Sequence, residues 1–167
     1  MTRFFTLLLA LAFLLGGCGK ATKEITSLQR KEAETLASEA DFALTLRDLP
    51  RTEALMTKVV ALCPDNGQYW GTLGAVRMRL GEREKAKTAY QSGLAAYKDA
   101  AKLEPKNTEL ILHQVYLLAL LGRVDEARKL VEQTQKKFPE DLLIREFVQD
   151  KQLDQMLTEK SFKEVAL

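Results

Sequence analysis

The chain predicts an all-α fold of stacked helical hairpins, and three observations carry that expectation. Beyond residue 25, apolar residues recur at three- and four-residue spacing. No stretch there shows the alternating pattern of a half-buried strand. The prolines Pro50, Pro64, Pro105 and Pro139 punctuate these runs, and the last two are 34 residues apart. A period of that size marks a repeat architecture, in which each hairpin buries its apolar face only by stacking on a neighbour.

At the amino end, Met1 to Arg3 is a short basic head, and Phe4 to Leu15 is an apolar run broken only by Thr6. That run is too short to cross a hydrocarbon core of ~30 Å as a helix, and it fits the apolar region of a secretory leader. Leu15-Gly16-Gly17-Cys18 resembles the bacterial lipobox, in which leucine stands three positions before the cysteine with small residues between. The resemblance implies that the Cys18 sulfur receives a diacylglyceryl group, that residues 1–17 are removed and that the new amino terminus is acylated, as by palmitate. The alternatives are an ordinary secreted protein cut near Gly17 and a true membrane span; the cysteine's placement speaks against the first and the length of the run against the second. Gly19, where an aspartate would retain the protein, resembles lipoproteins sent to the outer membrane, facing the periplasm. Each buried methylene contributes about 0.8 kcal/mol, so two or three acyl chains anchor stably where one binds reversibly. Residues 18–25 then form a lipidated tether with a root-mean-square reach of about 15 Å, which keeps the domain close to the membrane.

The chain has 25 basic and 23 acidic residues. Removal of the leader takes away only Arg3, and the balance argues against a nucleic-acid or polyanion partner. Once Cys18 is acylated, Cys63 is the only thiol, which excludes an internal disulfide. Its setting, VVALCPDN, suits a small buried apolar residue in the last turn of a helix. There is one histidine, His113, and the sequence shows no metal-ligand spacing, Gly-rich phosphate loop or nucleophile elbow. The expectation is therefore no catalysis, no metal, no cofactor and no small-molecule substrate.

The repeat domain is placed at 26–160. Thr26-Ser-Leu-Gln29 has the form of a capping box, so the first helix begins near Ser27. Unit one, 33–66, carries Leu36, Ala40 and a closing Pro-Asp-Asn, with Arg47 where a turn glycine is expected. Asp48 caps its second helix, and Pro50 starts it at no hydrogen-bond cost. Unit two, 67–107, carries Trp70, Leu73-Gly74, Gly81, Ala86 and Tyr90. Trp70 fills the space between helices, Gly74 and Ala86 are small where helices come close, and Gly81 permits a left-handed turn. Unit two also writes the pattern Ala-Tyr-x-x-Gly/Ala twice, from Ala89 and from Ala96. That heptad adds about 10 Å of helix with little rotation, keeping Tyr90, Leu94, Tyr97 and Ala101 on one side. It reads either as an overhang shielding a neighbouring helix or as a ridge for a partner. Unit three, 108–141, keeps Gly122, Ala127 and Pro139 but has Ile111, Gln114 and Val115 in place of the Trp and Leu-Gly positions. A cap at 142–159 offers Leu143, Ile144, Phe147, Val148, Met156 and Leu157 to the last unit.

The series Trp70, Leu73-Gly74, Ala86 and Tyr90 follows W-x2-L-G…A-x3-F/Y, and the chain resembles a tetratricopeptide-repeat protein. The resemblance implies a solenoid of three helix-turn-helix units plus a C-terminal capping helix. It also implies a concave groove, lined by the first helix of each unit, that holds an extended peptide or a helix. Placed on the family's positions, the groove takes Ala37, Ser38, Asp41 and Thr45 from unit one and Gln68, Thr72, Ala75 and Arg79 from unit two. Unit three contributes Glu109, Leu112, His113, Tyr116 and Leu120. His113 stands either as a groove wall or as a helix-packing residue. The lysines and asparagines with which some members clamp a terminal carboxylate are absent. Tyr116, Leu112 and Leu120 suit an apolar anchor on a partner helix, with Arg79 pairing an acidic side chain. The expected function is a membrane-anchored periplasmic adaptor that holds or helps assemble another envelope protein. The alternatives are an accessory activator of a cell-wall or polysaccharide enzyme and a self-associating structural lipoprotein whose Phe162, Val165 and Leu167 dock onto a neighbour.

Overall fold

The computed structural model describes residues 24–167; Cys18, the leader and nearly all of the tether lie outside them. The described residues form nine α-helices and no strand. They pair as hairpins: α1 (Ser27–Thr45) with α2 (Leu49–Leu62), α3 (Gly67–Arg79) with α4 (Arg83–Leu103), and α5 (Thr108–Leu120) with α6 (Val124–Lys137). Three short helices follow, α7 (Leu142–Gln149), α8 (Gln152–Thr158) and α9 (Lys160–Lys163).

Local chemistry sets the helix starts. Gln29 Oε1 accepts from the Thr26 amide while Thr26 Oγ1 accepts from the Gln29 amide, so both orphan donors at the start of α1 are satisfied. Asp48, Asn66, Asn107 and Asp141 each cap the helix that follows with a side-chain oxygen. Within the hairpins the turns are alike. Gly81 N donates to Met78 O and Glu82 N to Arg77 O; Gly122 and Arg123 repeat the pair on Ala119 and Leu118. Unit one builds the same turn without glycine, since Arg47 N donates to Leu44 O, Asp48 N to Ala43 O, and Arg47 itself has φ 59°. A left-handed conformation costs a side chain about 1–2 kcal/mol that glycine does not incur. Arg47→Gly is therefore expected to stabilise the protein by about 0.5–1 kcal/mol, seen as a melting temperature raised by roughly 1–3 °C. An unchanged or lowered melting temperature would mean that the Arg47 side chain supplies something the turn needs.

The core runs through the stack in two clusters. Ala33, Ala40 and Ala43 of α1 meet Leu55, Met56, Val59 and Val60 of α2 and Leu73 of α3. The second cluster joins Tyr90 and Leu94 of α4 to Val115, Leu117 and Leu118 of α5 and Ala127 and Val131 of α6. Trp70 packs against the first cluster, and its indole N–H donates to Pro64 O at 2.9 Å. Cys63 is buried there, and burial raises its thiol above the ordinary range, in keeping with a packing role.

The heptad in unit two lies inside α4, which has 21 residues where α2 and α6 each have 14. At a rise of ~1.5 Å per residue this is about 10 Å of extra helix. Its consequence is that the start of α4 extends past the end of α5. Arg77, near the end of α3, reaches Glu53 in the first turns of α2. Leu117, near the end of α5, instead lies against Gly93 in the middle of α4, and Gln114 Nε2 donates to Tyr97 O. Thus α5 stops short of the amino-terminal half of α4. Tyr97 does shield a neighbour, lying over Gly67, where an added Cβ would meet its ring at 2.4 Å.

Two expectations about the end of the chain need correction. The cap is not one helix: the chain breaks between α7 and α8, where Lys151 is left-handed with φ 51°. The packed domain also continues past residue 160 to Leu167. Phe162 and Val165 are buried in the second core cluster, so they do not await a neighbouring molecule.

Candidate functional site: the first-helix groove

The residues assigned to the groove fall into an open part and a filled part. In units one and two, Ser38, Asp41, Thr45, Gln68 and Arg79 are exposed, and Ala37, Thr72 and Ala75 are half-buried. Neither Asp41 nor Arg79 enters an ion pair among the described residues. Ser38 shares a shallow depression with Thr35, Glu39, Phe42 and Arg51. This end is polar and wet, with charges of both signs.

In unit three Glu109 is exposed and Leu112 half-buried. His113 is also half-buried and stacks on Tyr97 with ring centroids 4.8 Å apart and planes 15° apart. It packs on α4, while its Nε2 stands 3.8 Å from the Glu109 carboxylate. Leu120 is 1% exposed and belongs to the core, which corrects its assignment as a partner contact. Tyr116 is 41% exposed, and its ring meets Phe162 edge-on at 5.9 Å. The apolar anchor position is thus taken by the chain's own segment.

That segment is held by backbone as well as side chains. The Tyr90 hydroxyl donates to Val165 O at 2.7 Å in a buried position, and Leu167 N donates to Leu120 O at 2.8 Å. The segment occupies the space that α5 leaves over the amino-terminal half of α4. Burial pushes the Tyr90 phenol well above its ordinary range, with Tyr116 adding to the shift and Arg79 opposing it. Burial also raises the Tyr116 phenol; the Glu159 carboxylate adds to this and Arg79 again opposes it. The end of α3 and the start of α9 therefore both bear on Tyr116.

From the sequence, Phe162, Val165 and Leu167 are apolar groups docking onto a neighbour; the structure docks Phe162 and Val165, spaced as one helix face beyond the expected cap, within the chain itself. Among the described residues, no group of three or more His, Cys, Asp or Glu is placed to hold a metal ion. No described helix is long and apolar enough to cross a membrane.

Comparison with known families matches residues 88–149 to a tetratricopeptide repeat family. The match begins within α4 and ends with α7, so it covers unit three, which lacks the Trp and Leu-Gly residues of the motif. No curated protein and no solved structure matches the chain. Together with the helical hairpins, the match establishes the fold as an all-α helical repeat of the tetratricopeptide type.

Proposed function

We propose that the chain is a lipid-anchored adaptor of the bacterial cell envelope, fixed through Cys18 and probing the periplasm with its first-helix groove for another envelope protein. The observation that carries this reading is the open, unpaired row of Asp41, Gln68 and Arg79 on α1 and α3. These side chains cover no core and enter no ion pair among the described residues, which suits polar contacts to a partner. The family match supports protein binding in general, and the Leu15-Gly16-Gly17-Cys18 motif supports the anchor. Binding requires no catalytic group, and none is assigned.

The test is in-cell crosslinking and pull-down of the native protein beside Asp41→Lys/Arg79→Glu, with Cys18→Ser as a third arm. A partner captured by the native form and lost from the charge-reversed form, whose melting temperature should change by no more than roughly 2 °C, supports the adaptor. The Cys18→Ser form should leave the membrane fraction. If native and charge-reversed forms capture the same proteins, the row is not the binding surface. Tyr116 is unsuitable for this test because replacing it also loosens Phe162.

A further inference from the structure

We propose that residues 159–167 are a detachable built-in ligand of the unit-three end of the groove, and that a partner segment of the same chemistry replaces it. The proposal rests on reading the first-helix face as a binding surface and adds what that surface recognises and what regulates it.

The occupant is visible. One turn of helix, α9, presents Phe162 to Tyr116; three residues later Val165 enters the core, its carbonyl accepting from Tyr90; then the Leu167 amide reaches Leu120 O. Recognition thus reads an aromatic residue, a β-branched aliphatic three positions on, the carbonyl of the latter and the backbone amide two residues beyond it. This mode resembles a short helix in a groove, where one or two side chains anchor and the rest stay wet. Lys160, Ser161, Lys163 and Glu164 are all exposed.

Three features make the segment separable from the fold. A four-residue helix is far below the length that sustains itself, so α9 persists only through its docking. Side chain–side chain bonds do not tie it down: none joins residues 160–167 to α3, α4, α5 or α6, and its links to α4 and α5 are two hydrogen bonds through backbone atoms. The α1–α6 hairpins close on one another without it. The entropy lost in ordering eight residues opposes the burial of the two large side chains, the condition for a segment that opens locally. Glu159, extended between α8 and α9, is the point where it can swing.

The test uses a labelled synthetic peptide of residues 158–167 and two forms of the full chain, the native one and Phe162→Ala/Val165→Ala. Fluorescence anisotropy should show the peptide binding the double variant at least tenfold more tightly than the native chain. A peptide carrying Phe162→Ala should not bind. Equal binding to both forms, or no binding to a variant that keeps its helical circular dichroism, overturns the proposal. Should the variant not fold, hydrogen exchange on the native chain decides. The Leu167 amide, bonded to Leu120 O, should exchange at least tenfold faster than the Leu118 amide inside α5. Equal protection would make the segment part of the global core and defeat the idea. Neither measurement involves a cellular partner, so failure here is distinct from an empty pull-down.

Discussion

Gly74→Ala is expected to cost about 2–3 kcal/mol and to lower the melting temperature by roughly 5–10 °C. An added Cβ would stand 2.3 Å from the Tyr90 ring, far inside contact distance. Elsewhere a side chain in that place would step aside. Tyr90 is fully buried, its ring lies in the second core cluster, and its hydroxyl is tied to Val165 O, so moving it breaks a buried hydrogen bond as well. The gain from replacing a helical glycine, about 1 kcal/mol, opposes the clash but does not match it. Thermal melting followed by circular dichroism measures the sum. The cause is checked by Gly74→Ala/Tyr90→Leu, where the two effects should be clearly less than additive because the smaller residue removes the clash. Strict additivity would place the cost elsewhere.

Gly74 and Tyr90 show how much of the architecture was legible beforehand. Their small-against-large pairing belongs to the repeat motif, and so do Trp70, Ala86 and the capping side chains at Thr26 and Asp48, because each acts within a few residues or across one hairpin. The length of α4 was legible for the same reason. Its effect on unit three was not, because how far α4 outreaches α5 emerges only when α5 is laid against α4 and Leu117 comes to rest on Gly93. Leu120 was misplaced for that cause: the equivalent Arg79 of α3 is exposed, whereas residues 162–167 fold back over Leu120. The unit-one turn was legible at Arg47 despite the missing glycine, and the paired hydrogen bonds to Leu44 and Ala43 hold that residue in the left-handed conformation. The break at Lys151 carries no glycine or proline and left no local signal. Of the groove, the open residues were assigned from the family's positions alone, and at the unit-three end His113, Tyr116 and Leu120 turned out to serve packing.

If the length by which α4 outreaches α5 creates the site in which residues 159–167 sit, deleting the heptad should close it. Removing residues 96–102 shortens α4 from 21 residues to the 14 of α2 and α6, with the seven-residue step leaving its apolar face nearly unrotated. Unit three then sits about 10 Å nearer the start of α4, and α5 covers α4 over its length as α3 covers α2. Leu117 moves off Gly93 toward the first turns of α4, and the carboxy-terminal part of α5 enters the volume now held by Phe162 and Val165. The two cannot both fit. The segment should be expelled, losing two buried side chains worth about 1.5–3 kcal/mol each, with new α4–α5 contacts returning part of that. A net loss of about 2–4 kcal/mol is expected, with the helical signal retained in all but the last residues. Limited trypsin digestion supplies the specific readout: cleavage after Lys160 and Lys163 should accelerate at least tenfold. Adding Phe162→Ala should destabilise the native chain but not the shortened one, a non-additivity that ties the insertion to the segment. Undiminished protection of Lys160 in the shortened chain would mean that the site for this segment exists without the heptad. The extra turns of α4 would then have to be explained by the shielding of Gly67 and the stacking of Tyr97 on His113 alone.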